Sequence, residues 1–342
     1  MEKRKKTIFK KAGILLGCTL IIGVIINIAN VKEQKNSNIN YSNYLLEELD
    51  AEVNNVSNDN TMTFTFVTDL HENNEGNTDK NIQYFTEFTE RNKKVEFGAI
   101  GGDLYSAYKT NHEQGEYFIK YISKLLKDNT NKKLFFTKGN HECNAKLDKK
   151  EYISNEEYYD LAIKDIENEI ITNPEDPKGA YYYKDYDDYK VRVCVLNSFE
   201  GEGQQFIFNS KELDFIENKM LNFSEKENSS EWQVIFITHT LILEDIDQFN
   251  KIINSFQESG GKIIACITGH QHVDTYNLQN GYLEVVVQRG FNKQDEVDTD
   301  NEICFSVFTV DLKNRILYEN RAGRGENRQW DLEKQEIVMD AA

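Results

Sequence analysis

Aspartate, asparagine and histidine recur along this 342-residue chain in short groups whose side chains suit metal ions. Asp69-Leu70-His71, Gly102-Asp103, Gly139-Asn140-His141-Glu142, His239 and Gly269-His270-Gln271-His272 follow one another in that order, and between them they take five of the six histidines. Imidazole nitrogen, carboxylate oxygen and amide oxygen are ligands for divalent transition metals, and one carboxylate can serve two ions a few ångströms apart. Each group alone arises by chance in a chain of this length. The ordered series does not. A mixed nitrogen and oxygen shell with open positions binds water and lowers its pKa.

The elements that must position these groups are legible around them. The steps from Asp69 to Asp103, Asp103 to Asn140 and His239 to His270 are 34, 37 and 31 residues, each about one strand-plus-helix unit. Apolar or β-branched runs lead into the groups: 61–68, 95–100, 134–137, 234–238 and 263–268. Buried strands are therefore expected to end at the chemistry-bearing loops, where sites form in open α/β sheets. Between them, Ile82, Phe85 and Phe88 after a Thr78 N-cap predict one helix, and Phe118, Ile122, Leu125 and Leu126 a second. Ile246, Phe249, Ile253 and Phe256 predict a third that stops at Gly260. Two antiparallel pairs are expected as well. One joins 180–184 to 191–196 through a turn at 185–188, and the other joins 304–312 to 315–320 through Lys313-Asn314.

The series resembles that of the calcineurin-like metallophosphoesterases. The resemblance implies an α/β fold of two packed mixed β-sheets flanked by helices, a four-layer αββα sandwich. It also implies two metal ions. Asp69, His71 and His272 would hold one and Asn140, His239 and His270 the other, with Asp103 bridging. Manganese, iron and zinc all accept such a shell. In such an enzyme a metal-bridging hydroxide attacks phosphorus in line, while His141 serves the leaving-group oxygen as acid or stabilising donor. A compact hydrolase of a small phosphomonoester or phosphodiester is the activity implied. The alternatives are an enzyme like the Ser/Thr protein phosphatases and a metal-binding scaffold without catalysis.

Departures from the pattern narrow this. Leu104-Tyr105-Ser106 follows Gly102-Asp103 where the protein phosphatases carry Asp-Arg-Gly, and Lys138 stands where they carry arginine. Cys143-Asn144 replaces the Phe-Asp of exported 5′-nucleotidases, and their second domain is not expected here. The run from Asn320 to Arg328 resembles a segment that closes bacterial members. Arg321, Arg324 and Arg328 there are expected on a hairpin surface, with substrate-anion binding as the other reading. Glu142 is expected to orient a ligand or loop, His112 to face solvent, and Cys143, Cys194, Cys266 and Cys304 to be buried free thiols.

The N-terminus carries its own signal. Lys3, Arg4, Lys5, Lys6, Lys10 and Lys11 precede an uncharged run over 12–29, the length of a membrane span. Residues 1–30 are expected to form a basic cytoplasmic head and an uncleaved anchor. A solvated tether over 31–58 follows, with a short helix near Tyr44 to Ala51, and then a single catalytic domain, 59–342, outside the membrane. That domain ends in a β-hairpin. Six cations and Glu2 in the head leave 34 basic and 57 acidic residues in the remainder. No nucleic-acid polymer is expected to bind so acidic a body.

Overall fold

A computed structural model of the protein describes residues 44–72, 78–144, 151–200, 205–278, 281–299 and 301–340. The expected head and anchor, residues 1–30, and the first part of the expected tether lie outside them. No described helix is long and apolar enough to cross a membrane. The chain divides into two units, Met1–Glu48 and Leu49–Ala342. Of the first, only residues 44–48 are described, and they are helical. Helix α1 spans 44–56, longer than the short helix expected there. Within the second unit its Val53 is fully buried and its Asp50 accepts a hydrogen bond from Arg91 Nε at 2.8 Å.

The strands are β1 Thr61–Val67, β2 Val95–Ile100, β3 Lys133–Phe136, β4 Ile171–Thr172, β5 Tyr182–Tyr186, β6 Val191–Val195, β7 Phe199–Glu200, β8 Gln205–Phe206, β9 Gln233–Ile237, β10 Lys262–Thr268, β11 Thr275–Asn277, β12 Glu284–Val286, β13 Cys304–Asp311, β14 Ile316–Gly323, β15 Arg328–Asp331 and β16 Glu336–Asp340. One seven-stranded sheet has the order β16-β15-β14-β13-β1-β2-β3, and the other β11-β12-β10-β9-β6-β5-β4. Both are mixed. β1, β2 and β3 run parallel, as do β6, β9, β10 and β12, while β13 to β16 pair antiparallel. The parallel strands read as continuous apolar runs because both faces are covered.

Helices α2 (Asp79–Arg91), α3 (His112–Asp128), α4 (Asn155–Tyr158), α5 (Ser210–Phe215) and α6 (Ile246–Glu258) complete the layers. Phe85 and Phe88 of α2 meet Phe305 of β13 on one outer face, and Phe249 of α6 meets Phe236 of β9 on the other. Between the sheets, Phe97 stacks on Phe64 at 4.9 Å and lies 5.1 Å from Phe135 and 5.5 Å from Tyr186 of the facing sheet. The Tyr182 hydroxyl crosses the same gap to accept the backbone N–H of Phe136 at 2.9 Å.

Local chemistry explains where the observed elements depart from expectation. Thr78 caps α2 with no side-chain bond, because its hydroxyl donates to the Glu72 carboxylate instead. The β5–β6 turn falls at 187–190, later than expected, with Lys190 in the left-handed region. The β13–β14 connection is four residues long, with Asp311 accepting the backbone N–H groups of Lys313 and Asn314 and Arg315 at φ +58°. His112 is half-buried and bonded to Glu157 at 3.1 Å rather than facing solvent, because the loop before α4 packs beside the start of α3. The four described cysteines are buried and free, as expected.

Phe97→Ala would open a void at the centre of the inter-sheet layer. A loss of about 3–5 kcal/mol is expected from urea unfolding, and a loss below ~1 kcal/mol would show that the layer does not depend on this ring.

Candidate metal centre

Every group picked out from the sequence lies just past the C-terminal end of a parallel strand. Asp69 and His71 follow β1, Asp103 follows β2, Asn140, His141 and Glu142 follow β3, His239 follows β9, and His270 and His272 follow β10. The loops lock onto one another through the backbone. The N–H groups of Asp69 and His71 donate to the carbonyls of Gly102 and Asp103 at 3.0 and 2.9 Å. Asp69, His71, Asp103, His270 and His272 all have φ between +46° and +67°. That left-handed conformation costs a non-glycine residue of order 1–3 kcal/mol and persists only where the surroundings impose it. Gly102, at φ +89°, and Gly269, whose missing Cβ leaves space for Thr68 and Asp69, admit the tight turns beside them.

The side chains converge as two overlapping groups. Donor atoms of Asp69, His71, Asp103 and His272 lie within 4.8 Å of one another, and so do those of Asp103, His239 and His270. Asp103 is common to both. Its Oδ2 stands 3.4 Å from His71 Nε2 and 3.3 Å from His239 Nε2. Asn140 Oδ1 lies 3.2 Å from His239 Nε2 and so joins the second group. All seven residues expected to hold metal are thus brought together. His141 stands at their edge, with Nε2 3.9 Å from Asp103 Oδ2.

These atoms fit cations better than they fit one another. His71 Nε2 faces His272 Nε2 at 3.2 Å, and His239 Nε2 faces His270 Nδ1 at 3.2 Å, so nitrogen meets nitrogen twice. His71 Nδ1 is buried with no hydrogen-bond partner among the described residues. His239 Nδ1 donates to the Gly101 carbonyl at 2.6 Å, which leaves Nε2 turned into the cluster.

Electrostatics follow from burial and neighbours. Against the penalty of burial, His272 and His71 hold Asp69, and His239 and His141 hold Asp103, well below the ordinary carboxylate range. Burial would push His239 down, but Asp103 and Asp69 outweigh it and carry the imidazole up to about 10. Burial, with the charge of His71 and His239, takes His141 down to about 4, and burial with His239 takes His270 to about 4. Glu142 is pushed up to about 7 by burial and by Asp103. Its carboxylate accepts N–H groups from Asp103 at 2.8 Å, Leu104 at 2.6 Å and Gly139 at 2.7 Å, so it splices the second and third loops together, as expected of a positioning carboxylate.

Sequence reading missed several residues that shape the site. Thr68 donates to Asp69 Oδ2 at 2.8 Å, and the Gly290 and Phe291 N–H groups bond the Asp69 carbonyl. The Phe291 ring meets His71 and His272 edge-on, and Phe199 and Phe206 wall the side of His239 and His270. Thr68 adjoins a recognisable group and was within reach, whereas Phe291 has no sequence signal. Arg321, Arg324 and Arg328 are not on the surface. They are 7, 5 and 6% exposed, and their guanidinium groups bond Asp274, Glu296 and Glu319 rather than an open anion site.

A family model described as calcineurin-like phosphoesterase matches residues 62–274. The chain belongs to that family. A search of curated protein sequences found no match. Among solved structures, a dimetal phosphatase from Danio rerio is similar to this calcineurin-like phosphoesterase at a TM-score of 0.58 and 11% identity. The alignment covers 78% of this chain and 98% of that one, a likeness of fold. A 5′-nucleotidase precursor from Thermus thermophilus aligns at a TM-score of 0.43 and 13% identity over 76% of this chain and 54% of its own.

With Asp103 and Asp69 carrying its imidazole up to about 10, His239 is expected to hold a second proton at neutral pH, which a cation at Nε2 would displace. Metal uptake is expected to release protons near pH 7 and to tighten as pH rises toward 10, where that proton leaves unaided. Calorimetry in buffers of different ionisation heat measures the release. Uptake without proton release would place the metal away from His239.

Proposed function

We propose that the protein is a dinuclear-metal phosphoesterase hydrolysing a small phosphomonoester or phosphodiester. The observation that carries the reading is the pair of donor groups sharing the Asp103 carboxylate. Asp69, His71 and His272 would hold one ion, Asn140, His239 and His270 the other, and Asp103 both. When bound, two such ions supply an acidified water as nucleophile and neutralise charge on the phosphate oxygens.

The protein's own part is orientation, exclusion of water and one proton. Asp69 and Asp103 are almost wholly buried, and Phe199, Phe206 and Phe291 enclose the imidazoles, so the substrate phosphate would meet these charges in a low dielectric. His141 Nδ1 accepts the backbone N–H of Ala107 at 2.8 Å, which puts the ring proton on Nε2, the atom turned toward Asp103. A leaving-group oxygen there receives a hydrogen bond from neutral imidazole.

Lys138 supports a departure from the protein phosphatases. Its ammonium is buried and bonded to the Ile153 carbonyl and Asn155 Oδ1 at 3.0 and 2.9 Å, so it offers no cation to a substrate. The basic head and apolar run at the N-terminus favour membrane anchoring with the catalytic unit outside the cell.

Hydrolysis of p-nitrophenyl phosphate and bis(p-nitrophenyl) phosphate by the full-length protein, chelated and then given manganese, zinc or iron, tests the proposal. Metal-dependent turnover is expected. Asp103→Asn should lose both metal and activity, whereas His141→Ala should keep its metal and turn over about a hundredfold or more slowly. Equal metal loss in both variants would end this division of roles. Two bound ions without turnover would favour a scaffold.

A further inference from the structure

Asp274 lies two residues beyond His272 and belongs to neither donor group. Its Oδ1 accepts Arg321 Nη2 and Arg328 Nη1, both at 2.6 Å, and its Oδ2 accepts the backbone N–H of Glu326 at 3.0 Å. All three donors belong to the β14–β15 hairpin. The Asp274, Arg321 and Arg328 side chains are 10, 1 and 6% exposed, so these charge-assisted bonds form almost out of water. A carboxylate bonded on both oxygens has one rotamer, and the backbone that carries it is fixed with it. That backbone includes His272, held at φ +56°.

The same hairpin reaches the other side of the group through its turn. Arg324 Nη2 donates to the carbonyls of Arg289 and Phe291, both at 2.8 Å. Phe291 in turn bonds the Asp69 carbonyl through its N–H at 3.0 Å and sets its ring 5.1 Å from His71 and 5.3 Å from His272. The hairpin therefore braces Asp69, His71 and His272. The second group is braced differently, with His239 hung on the Gly101 carbonyl.

We infer that the C-terminal hairpin sets the affinity of one metal position, that of Asp69, His71 and His272, with Asp274 as the positioning residue that couples it to the site. The inference rests on the dinuclear reading above. Loosening Asp274 frees the His272 end of its loop, whereas His270 stays tied through its N–H to Asp69 Oδ2 at 2.9 Å and His239 to the Gly101 carbonyl, so the two positions should part in affinity.

Manganese alone is the probe, added to the full-length chelated protein. Calorimetry counts equivalents and electron paramagnetic resonance distinguishes a spin-coupled manganese pair from a single ion. The wild type is expected to take two equivalents and give the pair signal. In Asp274→Asn one equivalent should keep its affinity and the other weaken about ten- to a hundredfold, with the pair signal giving way to that of a single ion. Arg328→Gln leaves Arg321 on Asp274 and should show a smaller change of the same kind, which carries the test if Asp274→Asn does not fold. Equal weakening of both equivalents, or of neither, in a folded variant would overturn the inference. A wild type that fails to bind two equivalents would overturn the dinuclear reading itself, and this inference with it.

Discussion

Asp103 is a charged carboxylate with 1% of its surface open to water, and the arrangement around it serves to keep it charged there. An isolated carboxylate so placed would take up a proton instead. Here His71 and His239 close on one oxygen and the His141 N–H bonds the other at 2.8 Å. Behind it stands Glu142, a second buried carboxylate, whose own oxygen accepts the Asp103 N–H. Burial first, and then the charge of Asp103 so close by, push the Glu142 carboxyl up toward neutrality. Cations in front of Asp103 relieve both acids together, so ions that bind only the folded chain would also stabilise it.

The geometry needs rigid supports because its donors come from five strand ends in two sheets. The inter-sheet aromatic layer around Phe97 keeps the sheets in register, so the β1, β2 and β3 loops meet those of β9 and β10 at one edge. Backbone strain concentrates there. Five of the donor residues adopt left-handed φ, and the bonds of Asp69, His71 and Phe291 to neighbouring loops hold the first of these turns. Chain rigidity and metal geometry are in this sense one problem, since imidazole direction is set by the backbone before any ion arrives.

Much of this could be read in the sequence because the information was local. Strand ends at Asp69, Asp103, Asn140, His239 and His270 were visible from apolar runs that stop at the chemistry, and the helical stripes of α2, α3 and α6 from their three- and four-residue spacing. The two mixed sheets came from family resemblance, since periodicity does not say which strand lies beside which. Non-local facts were illegible. Asp274 is an unremarked acid until Arg321 and Arg328 arrive from 47 and 54 residues away. The same arginines looked like surface residues because nothing local reveals a buried partner. Short turns were misplaced by a residue or two, since Asp311 and Lys190 decide them through backbone bonds and left-handed conformations rather than composition.

The donors of both groups are scattered from Asp69 to His272, and the hairpin that braces one group is complete only at Asp331. No short stretch of nascent chain holds a finished site. A chain built this way would select its ions late in biogenesis, and the compartment in which the β14–β15 hairpin completes the first sheet would be the one whose ion pool it samples.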